Sequence, residues 1–279
     1  MAYEKDAIEG FFCPSRILMG DEAAEQKRAA KSKKKTSEPE IGLFDWLAPY
    51  YDRLQPVLDP CRNQAHSIML DVLNAVDPSP EYVLNPGCRT GMLTSQILDL
   101  CPDAHVYAID NSLAMLQTAR DNLVEFTDRI TLAMAEYHDP WEEVIEHPID
   151  VIIHYGVLHH LPHDTLREVY TRLAGVLRPG GWFIHADITA ERFPEPVRGI
   201  AGRIRDFQKQ CAMADIPDCD AIMNQLEKIR RADEKRGRLI EAPAMPEQQV
   251  AWLVDAGFEF ATRIYQDWRI SLFLAGKSD

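Results

Sequence analysis

Two glycines and one aspartate carry the clearest chemistry in this chain. Gly87 and Gly91 punctuate a turn after the apolar run Tyr82-Val83-Leu84-Asn85-Pro86, and Asp110 ends a second apolar run, Val106-Tyr107-Ala108-Ile109. A strand, a glycine turn, a helix and a strand tipped by a carboxylate form the arrangement with which open α/β sheets bind nucleotides. The turn lies at the carboxyl edge of the sheet, where ligands enter. Glycine lets the backbone turn sharply and approach a ligand that a Cβ would hold off. Asp110 follows Gly91 by 19 positions, where it can accept hydrogen bonds from both hydroxyls of a ribose. These residues imply an adenosine-containing cofactor.

The spacing separates the candidates. A dinucleotide fingerprint has three glycines, G-x-G-x-x-G, with the helix N-terminus facing a pyrophosphate. Here Arg89 stands where the middle glycine belongs, and no Gly-Lys-Ser/Thr follows for a phosphate loop. An NAD-dependent oxidoreductase is therefore the weaker alternative.

The run Val83-Leu84-Asn85-Pro86-Gly87-Cys88-Arg89-Thr90-Gly91 resembles the first motif of class I S-adenosylmethionine-dependent methyltransferases, an apolar strand, an acidic residue and Gly-Cys-Gly-Thr-Gly. The likeness continues through Ile109-Asp110-Asn111-Ser112 with Met115-Leu116, through Ile149 to Pro162, and through Leu177-Arg178-Pro179-Gly180-Gly181-Trp182. Phe44 to Leu54 resembles the leading helix of the small-molecule branch that includes quinone-ring methyltransferases. The resemblance implies S-adenosyl-L-methionine as cofactor and methyl transfer to a small-molecule acceptor. It assigns the cofactor's contacts to Tyr51, Asn85, Gly87, Cys88, Arg89, Gly91, Asp110, Asn111, Met115, Glu136, Tyr137, His154 and Tyr155.

Within that set, Tyr51 covers the methionine end or is a core tyrosine. Glu136 meets the adenine edge or is an ordinary solvent-exposed side chain, Tyr137 shields the ring, and Met115 packs on the adenine face or in the core. Two departures from the family pattern leave a second reading open, a cofactor-binding or regulatory protein that has lost transfer. Asn85 replaces a carboxylate that helps hold the cofactor's ammonium, and a neutral amide supplies no charge. Arg89 could pair with the cofactor's carboxylate or crowd the pocket. His154 and His159 are the candidates for a general base, since imidazole takes a proton near neutral pH. His185 and Asp187 rank behind them. His154, His159, His163 and Asp187 match no familiar metal-ligand spacing, so no metal is expected.

These groups need a scaffold. Apolar runs predict strands near 81–85, 105–110, 130–135, 149–155, 181–188, 258–266 and 269–275, with helices at 91–100, 112–126, 164–177 and 246–256. Alternation of strand and helix implies a doubly wound, mostly parallel α/β sheet with right-handed crossovers. Only Asp267-Trp268 separates the last two strands, too little for a helix, so they pair antiparallel at one edge. The methyltransferase domain spans 41–279. Its insertion at 190–245 carries helices near 196–213 and 219–236 that cover the substrate pocket or form an oligomer contact, such as a homodimer. Residues 1–40 form an N-terminal segment, apolar from Phe11 to Met19 and then a solvated linker.

The net charge is −14, and residues 1–40 carry eight basic and eight acidic side chains, so the acidity belongs to the rest of the chain. Nucleic acid requires a positive track along its phosphates and is not an expected partner. The six cysteines include no C-x-x-C pair, and no secretory leader pattern is present. Reduced thiols in a cytoplasmic protein are the expectation. No apolar run reaches the length of a membrane span.

Overall fold

The computed structural model describes residues 42–190, 192, 195–267 and 269–279. The N-terminal segment 1–40 lies outside the described residues. Seven strands form one sheet: β1 (Tyr82–Pro86), β2 (His105–Asp110), β3 (Ile130–Met134), β4 (Ile149–Tyr155), β5 (Leu177–Ile188), β6 (Phe260–Asp267) and β7 (Ile270–Gly276). Their order is β3-β2-β1-β4-β5-β7-β6. β1 to β5 run parallel, and β7 is antiparallel to both β5 and β6. All seven residues of β4 are buried, as expected of a strand covered on both faces by helices.

The sequence-based boundaries hold within one or two residues except at β5 and at the end of the helix expected over 112–126, which stops at Asn122. That strand opens at Leu177 rather than 181 because Leu177 pairs with Ile149 ahead of a register shift. The order of connection reverses at β1, with β2 on one side and β4 on the other. The crevice beyond the carboxyl ends of these strands is where ligands of such sheets bind.

A leading layer packs over that edge: α1 (Leu43–Leu47), α2 (Tyr51–Leu58) and α3 (Arg62–Val76). The crossover helices are α4 (Met92–Leu100), α5 (Leu113–Asn122) and α6 (His163–Val176). Then come the inserted α7 (Glu195–Ala214) and α8 (Cys219–Lys235), and α9 (Pro246–Asp255) leads into β6. One buried cluster packs Val83, Val106, Val151 and Ile184 against Leu73 and Ile97. On the opposite face Leu84, Ile152 and Phe183 pack against Tyr170 and Leu253.

The insertion forms a cover tied down at two points. Leu226 of α8 joins a cluster with Leu43, Leu47, Tyr51 and Leu54. Its Asp233, 4% exposed, accepts the first backbone N–H of α1, from Leu43, at 2.9 Å. Beyond α8, Ala242 N donates to His159 O at 2.8 Å, and His160 Nδ1 donates to Ile240 O at 2.9 Å. On α7 the apolar positions Ile200, Ile204 and Phe207 face outward, 46%, 38% and 67% exposed. The helical spacing read there is therefore real, but its apolar stripe does not turn toward the pocket.

Gly91 caps α4 at φ 82, and a Cβ there would stand 2.7 Å from Leu123 Cδ1. Gly91→Ala combines left-handed strain with a clash, and should lower stability by about 2–4 kcal/mol. Urea unfolding monitored by circular dichroism measures this loss.

Candidate active site

The turn between β1 and α4 is fastened to β2. Gly87 N and Cys88 N both donate to Ile109 O, at 2.7 and 3.0 Å. Gly87 has φ +69, and a Cβ there would lie 2.7 Å from Val157 Cγ2, so only glycine fits. Asp110 Oδ2 accepts the Arg89 backbone N–H at 2.8 Å, and Oδ1 accepts that of Ser112 at 2.9 Å. Each oxygen keeps a lone pair for a diol. Burial pushes the Asp110 carboxyl up from its ordinary range, and these backbone N–H groups oppose the rise.

Beside Asp110 lies a cavity of about 30 Å³ whose lining includes Gly87, Asn111, Glu136, Tyr137, Trp141 and Val157. The Trp141 indole Nε1 is buried without a hydrogen-bond partner. Arg172 of α6 holds this loop in place. Its Nε and Nη2 reach Glu142 at 2.5 Å, its remaining donors reach the carbonyls of Tyr137 and Asp139, and its guanidinium lies 4.8 Å from the Trp141 ring centroid.

On the other side of the turn a cavity of about 20 Å³ touches Tyr51, Arg62, His66, Cys88, Arg89 and Tyr155. Arg89 forms part of its wall. Its guanidinium donates to Tyr51 Oη and Gly156 O, and its backbone is left-handed at φ 53. Burial opposes its charge, but Tyr51, Asp110, Tyr155 and Asp59 outweigh that and hold it protonated. Arg62, 4% exposed, donates to Met92 Sδ and leaves Nε without a partner. Burial, reinforced by Arg62 and Arg89, lowers His66 to about 4. The Tyr155 hydroxyl donates to Asp59.

The third cavity, about 630 Å³, lies beneath the cover and reaches from Tyr51 and Arg89 to His159, Lys209 and Glu241. His159 Nδ1 donates to Asp187 Oδ1 at 2.5 Å, while Asp187 Oδ2 accepts the His159 backbone N–H at 3.0 Å. Burial would raise the Asp187 carboxyl, yet His159 holds it well below the usual range. With His159 Nδ1 engaged by Asp187, Nε2 is the ring nitrogen left to the cavity. Glu241 Oε2 lies 3.9 Å from that nitrogen.

The structure redistributes several expected residues. Gly87, Asp110, Asn111, Glu136 and Tyr137 come together around the first cavity. Tyr51, Cys88, Arg89 and Tyr155 come together around the second. Asn85 touches the second as well, but Nδ2 donates to Ile153 O at 2.8 Å and Oδ1 accepts from Thr94 Oγ1 at 2.7 Å. It braces strands and helix, and keeps one N–H and one lone pair beyond these two bonds. Met115, 1% exposed, packs in the cluster beneath α1, so core packing is its place. Gly91 shapes the helix start and lines none of the three cavities.

His154 also lines none of them and is fully buried. Strand alternation turns it to the face opposite Ile153 and Tyr155. There its Nδ1 meets His185 Nδ1 at 3.1 Å and its Nε2 lies 3.4 Å from Tyr137 Oη. His185 Nε2 in turn reaches Gln249 Oε1 at 3.1 Å. His154, His185 and Asp187 thus sit with ligand-type atoms within 4.8 Å of one another, each already engaged in hydrogen bonds. Arg62, His66 and Trp141 escaped the sequence reading. Trp141, an aromatic between Asp139-Pro140 and Glu142-Glu143, was the one visible hint.

Residues 84–183 match a family model described as a methyltransferase domain. A trans-aconitate 2-methyltransferase of Methylobacterium radiotolerans is 38% identical over 140 residues, 50% of this chain and 48% of that protein. The chain spans less than half the length of the curated relatives it matches. An O-methyltransferase family protein of Burkholderia thailandensis superposes with a TM-score of 0.53 at 16% identity, over 76% of this chain and 56% of that one. Human N-acetylserotonin methyltransferase, solved with SAM, gives 0.54 at 15% identity over 92% and 66%. No helix of the described residues is long and apolar enough to cross a membrane.

Asn85→Asp restores the carboxylate common in this motif but cannot donate to Ile153 O. It should cost about 1–3 kcal/mol of stability, read by urea unfolding. Acid sensitivity follows from the buried imidazoles. Burial lowers His66 and His160 to about 4 and also lowers His154 and His185. Between about pH 6.5 and 4 the unfolded chain binds more protons than the folded one, so stability falls as pH falls through that window. His66 alone contributes on the order of 3 kcal/mol. Thermal melts from pH 7.5 to 4.5 should show a steadily decreasing Tm, and a flat profile would contradict the neutral assignment.

Proposed function

We propose that this chain, whose core is a class I S-adenosylmethionine-dependent methyltransferase domain, methylates a hydroxyl of a small-molecule acceptor held beneath its helical cover. The observation that carries this reading is His159, on the wall of the large cavity and bonded from behind by Asp187. A carboxylate acceptor arrives ionised and needs no base, whereas a hydroxyl must lose its proton as it attacks.

S-adenosyl-L-methionine fits the chemistry of the residues present. Asp110 would take the ribose hydroxyls, and the unpartnered Trp141 Nε1 would donate to the adenine. Arg62, whose Nε is likewise unpartnered, would face the carboxylate. When bound, the cofactor supplies an electrophilic methyl group. The protein's own part is to hold acceptor and methyl in line, to keep water out, and to take the acceptor's proton at His159 Nε2. Asp187 orients His159 and stabilises the imidazolium that forms. His154, enclosed by Tyr137 and His185, leaves the base role to His159.

Calorimetry with S-adenosylhomocysteine and with NAD tests the cofactor. Heat with the former alone is expected, and Asp110→Ala should weaken it by about 1.5–3 kcal/mol. With labelled S-adenosylmethionine and a panel of phenols and alcohols, His159→Ala should lower kcat by about 10²–10⁴-fold with KM little changed. An unchanged rate would mean that the acceptor arrives ionised.

A further inference from the structure

Arg89 is in an unusual position on three counts. Its backbone is left-handed at φ 53, a conformation unfavourable for a side-chain-bearing residue, which surroundings must impose. Its side chain is half-buried, and the groups it donates to, Tyr51 Oη and Gly156 O, are neutral. Among the described residues no carboxylate reaches ion-pair distance of it, and Asp110 and Asp59 support its charge from farther away. It also lines two cavities, the 20 Å³ space beside the β1 turn and the 630 Å³ space under the cover, a border it shares with Tyr51.

The small space holds about one water, so an amino-acid end cannot enter while the guanidinium lies against Gly156 O. The large cavity is the open volume that Arg89 also borders. Its wall carries Lys209 from α7, and its acidic groups are Asp59, Glu241 and Asp267. Asp59 accepts from Tyr155, and Glu241 sits at 3.6–3.9 Å from His160 and His159.

We propose that Arg89 is a two-position gate that yields its place to the cofactor's amino-acid end and swings into the large cavity. There it receives an anionic oxygen group, a carboxylate or a phosphate, on the acceptor. The inference rests on the methyl-transfer reading above. A planar fork of donors matches either group bidentately, and Lys209, Arg230 and Arg269 add further cations to the same cavity. Cofactor binding then precedes and strengthens acceptor binding, and by linkage the acceptor strengthens cofactor binding equally.

Two measurements test it. In calorimetry with S-adenosylhomocysteine, Arg89→Gly removes the plug and relaxes the left-handed backbone. It should bind at least tenfold more tightly than the wild type, and weaker binding would show a carboxylate clamp and overturn the gate. Next, 4-hydroxyphenylacetate, phenyl phosphate and the neutral 4-hydroxyphenylacetamide are titrated with and without saturating S-adenosylhomocysteine. The homocysteine compound should raise affinity for at least one anion fivefold or more, leave the amide unchanged, and lose this effect in Arg89→Gly. Which anion gains more tells carboxylate from phosphate. Equal gains for the amide, or no gain for any of the three, overturn the gate. No heat with S-adenosylhomocysteine for either protein removes the methyl-transfer reading together with it, whereas cofactor binding without coupling removes the gate alone.

Discussion

The carboxylate of Asp110 orders the ligand edge of this sheet. Its two oxygens accept backbone N–H groups from the turn after β1 and from the start of α5. Both connections are thereby set at fixed height above the strand tips, where the topology reverses. A buried carboxylate held this way resists rotation and keeps lone pairs aimed at the cavity. The glycine at the turn, the fastening of Gly87 and Cys88 to Ile109 O, and the loop with Trp141 are arranged around that anchor.

The same logic recurs at the cover. Asp233 on α8 satisfies the first amide of α1, and the 240–242 segment bonds to the backbone or rings of His159, His160 and His163. Inserted helices with exposed apolar residues would otherwise sit loosely on the edge. These bonds fix the roof relative to His159, so the enclosed volume and the imidazole that faces it are set by one network. Asp187, at the end of β5, completes it by binding both the ring and the backbone of His159.

Much of the edge was legible in the chain itself. The strand–turn–helix–strand pattern and the 19-residue step from Gly91 to Asp110 follow from local rules: apolar period, glycine freedom and the tip position of a strand residue. The antiparallel ending was legible because two residues cannot form a crossover. The surroundings of Asn85 and His154 were not legible, because they depend on tertiary packing. Asn85 meets Thr94 and Ile153 O, and His154 points to the face away from the cavities.

Sequence alone thus determined the class of sheet, the glycine turn at its carboxyl edge and the carboxylate beside that turn, since each is written in residues near one another in the chain. Tertiary structure decided which histidine meets the large cavity, that Arg62 and Trp141 sit with unpaired donors beside the turn, and that Arg89 stands between two cavities. The physical reason is that burial, tautomer and ion pairing are set by neighbours far along the chain: Asp187 lies 28 residues from His159, and Tyr51 lies 38 from Arg89.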